Sequence, residues 1–176
     1  MFNSGISKLS REFRELNQNP IISLGMTVGL LDVNNIFNWR VSSLGPPDTP
    51  YRGGIFYLSL NFPQNYPSSP PKVVFNTPIY HINVKRFRDN SGSIGQVDLA
   101  ILNLWKPEYT ARDILISAFS LFYMNKDNSP YSLEMSDEYR NNKNLYIEKC
   151  KYFTSKYANP FICFREYENW DFSYAH

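Results

Sequence analysis

Cysteine is scarce in this chain. Cys150 and Cys163 are the only two among 176 residues. With no further Cys or His at ligand spacing, they build neither a disulfide framework nor a metal site. Reduced intracellular thiols are the expectation, with no metal and no cofactor. Histidine is as rare, with His81 and His176 alone. No run of about 18 apolar residues occurs, so no membrane-spanning helix is expected. Charge of one sign is also missing: the net charge of +2 is too small to mark a binder of nucleic acid or of a membrane surface. No signal-peptide pattern opens the chain. The opening "MFNSGISKLSR" is basic and amphipathic, which suits either a mitochondrial presequence or the first helix of a domain.

What is present describes a globular chain. Hydrophobic residues make up 43% and charged residues 19%, a balance that can bury a core. The length suits one domain. Aromatics reach 16%, mostly Tyr and Phe, which reads as a compositional habit or as a surplus of sticky surface.

Periodicity divides the chain into two halves. Ile6, Leu9, Phe13 and Leu16 recur at steps of three and four, predicting a helix over 5–18 with those four on its buried face. "IISLGMTVGLL" reads as a strand with a bend. "IFNWRVSSLG" alternates, with Phe37, Trp39 and Val41 on one face. "IFYLSLNF" puts Phe56, Leu58, Leu60 and Phe62 together, and "KVVFNT" reads as a fourth strand. Short links between consecutive strands predict an antiparallel meander. The second half turns helical. Thr110 and Asp113 have capping-box spacing before "ARDILISAFSLFYM", which is apolar nearly all round and predicts a central buried helix. "SLEMSDEYRNN" reads as a short helix. "NLYIEKCKYFTSKYA" places Tyr146, Cys150, Phe153 and Tyr157 on one helical face. The fold class is α+β: an N-terminal helix, a four-stranded antiparallel meander, a central helix and two C-terminal helices.

The residues between these elements are more specific. "YRGGIFYLSLNFPQNYPSSPPKVVF" resembles the Y-x-G-G-x-F, F-P-x-x-Y-P and P-P-K-V series of ubiquitin-conjugating enzymes. "IYHIN" resembles their I-Y-H-P-N, and "GSI" the G-x-I before their catalytic cysteine. "LWKPEYTARDILISAFSLF" resembles their Q-W-S-P-x-x-T and central helix. The resemblance covers roughly residues 5–158 and implies that fold. It also makes residues 5–18 the first helix of that fold, which weakens the presequence reading. A domain over 1–158 and an aromatic-rich extension over 159–176 follow.

The family's chemistry carries ubiquitin as a thioester on a cysteine, which is both a nucleophile and a leaving group at neutral pH. The motif count puts that position at Gly95. Counting back from Trp105 puts it at Val97, and Gln96 lies between. None of the three is a nucleophile, and the disagreement between counts implies an insertion. His81, Asn83, Trp105 and Pro107 are the vestiges of the motif. The resemblance makes Asn83 the oxyanion residue. The other reading of His81 and Asn83 is that they tie down a loop. The acidic residue of many members falls at about Asn128 or Ser129, neither of which is a base. Ser91 and Ser93 lack an activating His. Cys150 reads as a packed core thiol. Where ligase-binding members carry a large apolar residue, this chain has Ser68, and their S-P-A turn is Lys106-Pro107-Glu108.

Two stretches suit a partner. "VKRFRDNS" carries Lys85, Arg86 and Arg88, as a solvated hairpin or a basic contact. The last stretch carries Phe161, Phe164, Tyr167, Trp170, Phe172 and Tyr174, which either fold back on the domain or dock on another protein.

The expected function is that of a catalytically inactive member, binding other proteins as a structural or accessory subunit of a larger assembly. The alternative is a ubiquitin-pathway cofactor that binds ubiquitin or an active conjugating enzyme, with an active enzyme last. The expected setting is intracellular, cytoplasmic by default, with an organelle-bound assembly such as a mitochondrial one left open.

Overall fold

A computed structural model describes residues 2–86, 94–123 and 131–159. Helix α1 spans Phe2–Gln18. Its buried stripe is Gly5, Leu9, Glu12 and Leu16. The apolar pattern had put Ile6 on that face, but Ile6 is 42% exposed. Gly5 takes its place because a Cβ there would stand 2.4 Å from the Tyr66 carbonyl oxygen. The first turn can press against that loop only without a side chain.

A single 3₁₀ turn, Ile22–Leu24, ends at Gly25 with φ 59° and feeds the sheet. Strands β1 (Met26–Asp32), β2 (Asn35–Leu44), β3 (Ile55–Asn61) and β4 (Lys72–Phe75) pair antiparallel in sequence order. This is the expected meander. Trp39, Val41, Phe56, Leu58, Leu60, Val73 and Phe75 are buried on it. Trp39 sits between the rings of Phe13 and Phe62.

A short helix α2 (Ala100–Asn103) interrupts the long connection, which the sequence pattern did not announce. Helix α3 (Ala111–Ser120) opens with the Thr110–Asp113 capping box. It is not buried all round as its composition predicted. Ala111, Ile114, Leu115, Ala118 and Phe119 point inward, whereas Ile116 is 47% exposed. The helix lies on one face of a two-layer fold, so its outer side meets solvent whatever its residues. Phe122, just after it, touches Phe56, Phe75 and Tyr51 and joins the helical layer to the sheet. Helices α4 (Leu133–Asn141) and α5 (Lys143–Tyr157) follow. Among the described residues no helix is long and apolar enough to cross a membrane.

Candidate functional site

His81 and Asn83 lie on the segment after β4. Every residue from Ile79 to Val84 is buried, and the backbone polar groups of such a segment need partners. Several come from far along the chain. The Tyr80 carbonyl accepts from the Tyr51 hydroxyl at 2.9 Å and from the Cys150 thiol at 3.3 Å. The Ile82 carbonyl accepts from the Tyr131 amide at 2.8 Å, and the Ile82 N–H donates to the Tyr146 hydroxyl oxygen at 3.3 Å.

His81 is fully buried. Its Nδ1 accepts from the Asn83 N–H at 3.0 Å, and its Nε2 lies 3.0 Å from the Leu121 carbonyl oxygen. Those partners assign the neutral tautomer with the proton on Nε2. Both ring nitrogens are therefore engaged in holding the segment between α3 and itself. Asn83 is fully buried too, and its carbonyl accepts the Asp98 N–H at 3.1 Å.

The residues counted as the nucleophile position form a ribbon beside this segment. Gly95 accepts from the Phe75 N–H at 2.8 Å and donates to the Lys85 carbonyl at 2.7 Å. Gln96 bridges to Val74 and Val97 to Val84. The Gly95 backbone has φ 77°, a conformation that a residue with a Cβ adopts only under strain. Val97 is 4% exposed and part of the core.

Around the rim, the Trp105 indole N–H donates to the Pro67 carbonyl at 2.8 Å, and its ring packs on Tyr66 and Tyr109. The Lys8 ammonium donates to the carbonyl of Pro107 at 2.6 Å and to that of Tyr109 at 3.2 Å. Ser68, Lys106 and Glu108 are exposed.

The basic stretch does not present its charges as one solvated patch. Arg86 is 8% exposed and its guanidinium pairs with Glu134 on α4, so it helps to close the wall of the fold. Arg88, Ser91, Ser93, Asn128, Ser129, Cys163 and the tail aromatics Phe161, Phe164, Tyr167, Trp170, Phe172 and Tyr174 lie outside the described residues. Cys150 is fully buried, and desolvation pushes its thiol up to about 12. At neutral pH it holds its proton and is a packing group, not a nucleophile. Among the described residues no group of three His, Cys, Asp or Glu could hold a metal.

The sequence that builds this four-stranded meander and the buried Tyr80-His81-Ile82-Asn83 segment is similar to known sequences. A family profile described as "Ubiquitin-conjugating enzyme" matches residues 8–154.

The chain belongs to the ubiquitin-conjugating enzyme family.

The chain is 36% identical to ubiquitin-conjugating enzyme E2 13 of Arabidopsis thaliana over 155 residues, 80% of this chain and 88% of the relative. It is also 36% identical to ubiquitin-conjugating enzyme E2 15 of Schizosaccharomyces pombe over 157 residues, 81% and 89% of the two chains.

Sequence reasoning had singled out His81, Asn83, Trp105 and Pro107, of which the structure buries His81 and Asn83 in one segment and leaves Trp105 and Pro107 on the rim. It missed Tyr51, Tyr146 and Glu12. Tyr146 was read only as an apolar residue of α5. Its hydroxyl serves Ile82, 64 residues away, and no local pattern signals a partner at that distance. Glu12 is 5% exposed. Its Oε2 accepts from the Tyr66 hydroxyl and from the Ala111 N–H at the start of α3, both at 3.0 Å. Its Oε1 makes no hydrogen bond of ordinary geometry and faces the Lys8 ammonium at 3.5 Å. The only sequence signal was a charge interrupting an apolar helical stripe.

Proposed function

We propose that this family member does not carry ubiquitin and instead binds other proteins as an accessory subunit of a larger assembly. What supports this reading is the set of residues at the positions that the motif counts assign to the nucleophile: Gly95 in a left-handed conformation, Gln96 in a backbone ribbon and Val97 in the core. Cys150, sealed against Tyr51 and Tyr80, offers no substitute. His81 has both nitrogens committed, so it does not activate a neighbouring hydroxyl. The exposed Ser68 and the Lys106–Glu108 turn weigh against the usual ligase contact, since an apolar anchor is a typical hot spot. The setting that goes with this reading is intracellular, in the cytoplasm or on an organelle-bound assembly.

Two measurements test it. Incubation with activating enzyme, ubiquitin and ATP is expected to leave no thioester or oxyester on a non-reducing gel, and an adduct would refute inactivity. Native extract is expected to show the protein in a high-mass fraction with a fixed set of companions. Elution as a monomer would refute the assembly role.

Family membership supports a second reading, a cofactor that binds ubiquitin or an active conjugating enzyme. Titration of labelled ubiquitin with this protein would show shifts at micromolar to millimolar concentration under that reading and none under the first.

A further inference from the structure

A groove of about 690 Å³ lies between the β2–β3 turn and the last turns of α5. That volume falls in the range of roughly 300–1,000 Å³ typical of binding sites. None of His81, Asn83, Gly95, Gln96 and Val97 lines it. One wall is the turn, with Pro47, Pro50, Arg52 and Gly53. The other is α5, which presents Lys151, Thr154 and Ser155 at helical steps of three and four.

The walls are fixed before anything binds. The Ile55 N–H donates to the Ala158 carbonyl at 2.8 Å. A Cβ on Gly54 would stand 2.8 Å from the Thr154 methyl, so turn and helix meet where there is no room for a side chain. A groove built this way has little order to gain on binding, which lowers the cost of filling it.

Its polar side chains divide into two sets. The Thr49 hydroxyl donates to the Pro46 carbonyl and the Thr154 hydroxyl to the Cys150 carbonyl, both at 2.8 Å. These two serve the fold itself. Arg52, Lys151 and Ser155 are exposed. Lys8, Arg86 and Lys149 each pair with a carboxylate, whereas neither Arg52 nor Lys151 has an ion-pair partner among the described residues. No Asp or Glu is among the residues that line the groove. What it offers a ligand is therefore two cations from separate walls, beside the apolar rings of Pro47 and Pro50. That combination suits two carboxylates carried on one chain, with an apolar group between or beside them.

We infer that this groove binds a short acidic segment of a partner protein. Its carboxylates pair with Arg52 and Lys151, and an apolar side chain lies on Pro47 and Pro50. The inference adds a contact surface to the accessory role proposed above and rests on that role only for the source of the segment. Peptide titration reads the groove and elution from native extract reads the role, so either can fail alone.

The test is a titration of the isotope-labelled full chain, followed by amide NMR, with a panel of short capped peptides. Each peptide carries two glutamates, at varied spacing, and one leucine. At least one is expected to shift the Gly53 and Ser155 amides but not those of Asn83 and Gly95, with a Kd near about 1 mM, as befits exposed ion pairs. The double charge reversal R52E/K151E is expected to weaken that peptide by about tenfold or more. Replacing the peptide's glutamates by lysines is expected to restore binding to this variant, whose own amide spectrum shows whether it is folded. Binding to the wild type is expected to be lost at about 1 M sodium chloride, where the screening length falls to about 3 Å. The inference is overturned if no peptide of the panel shifts these amides, or if a peptide with glutamine for glutamate binds as well. Equal binding to R52E/K151E, no rescue by the lysine peptide, or persistence in high salt overturns it too. Displacement of the peptide by an equal concentration of inorganic phosphate would make this a site for a bare anion and overturn the peptide as its occupant.

Discussion

The Ile82 N–H donates to the hydroxyl oxygen of Tyr146 at 3.3 Å inside the core. Ile82 stands where the family motif resembled by "IYHIN" has a proline, which carries no N–H. The substitution therefore adds a donor to a fully buried segment, and α5 supplies its acceptor. Tyr146→Phe keeps the ring and strands that donor. Chemical denaturation should show a loss of about 1–3 kcal/mol, the cost of an unsatisfied buried polar group. A loss within error would mean that the hydroxyl is not what holds the segment.

Glu12 ties three elements together: its own helix α1, the Tyr66 loop and the start of α3. A carboxylate accepting two bonds at a helix N-terminus is worth more than a neutral acceptor. Glu12→Ala should cost about 2–3 kcal/mol, and Glu12→Gln less because it keeps an acceptor oxygen. Urea unfolding of the three proteins checks the order. Equal stability of Gln and wild type would show that the charge contributes nothing.

Gly95 has φ 77°. Gly95→Ala should destabilise by about 1–2 kcal/mol, the usual penalty for a Cβ in the left-handed region. Gly95→Cys should carry the same cost, so a thiol placed at that position also strains the ribbon. Thermal melts of the two variants measure it, and an unchanged midpoint for Gly95→Ala would refute the assigned conformation.

Burial raises the pKa of Cys150 to about 12 and holds the hydroxyls of Tyr51 and Tyr146 well above the usual tyrosine range. In the unfolded chain these groups ionise near their ordinary values, about 8.5 for Cys and about 10 for Tyr. The folded state keeps its protons, so stability is intact below about pH 8.5 and falls as pH rises toward 12. The slope from Cys150 alone should approach about 1.4 kcal/mol per pH unit in that window. Cys150→Ala, whatever its own cavity cost, should make the decline shallower. In a Cys163→Ser background, a thiol reagent at pH 8 should label Cys150 only as fast as the protein opens. Rapid labelling of the folded protein would contradict the burial.

Much of the fold was legible because its signals are local. The alternation in "IFNWRVSSLG" and "IFYLSLNF" fixed two strand faces, and Thr110 with Asp113 marked the start of α3 as the capping box it forms. The family motifs drew attention to His81, Asn83 and Trp105. What local signals could not weigh was competition for space. Ile6 has the right spacing for the core, but the Tyr66 carbonyl leaves room only for Gly5. Ile116 is as apolar as Ile114, yet α3 has only one covered side. Arg86 belongs to a basic run in sequence, but in space its side chain is buried and pairs with the exposed Glu134 of α4.

The sequence by itself determined the order of the four strands and of the helices other than α2, the family motifs and the identities at Gly95, Gln96 and Val97, because these depend on residue type and spacing along the chain. Only the tertiary structure decided that Gly95 is left-handed, that both nitrogens of His81 are engaged, and that Tyr146 and Glu12 complete segments far from them. Those outcomes depend on which buried donors lie within about 3 Å of which acceptors. That distance is set by how sheet and helices pack, not by neighbours in the chain.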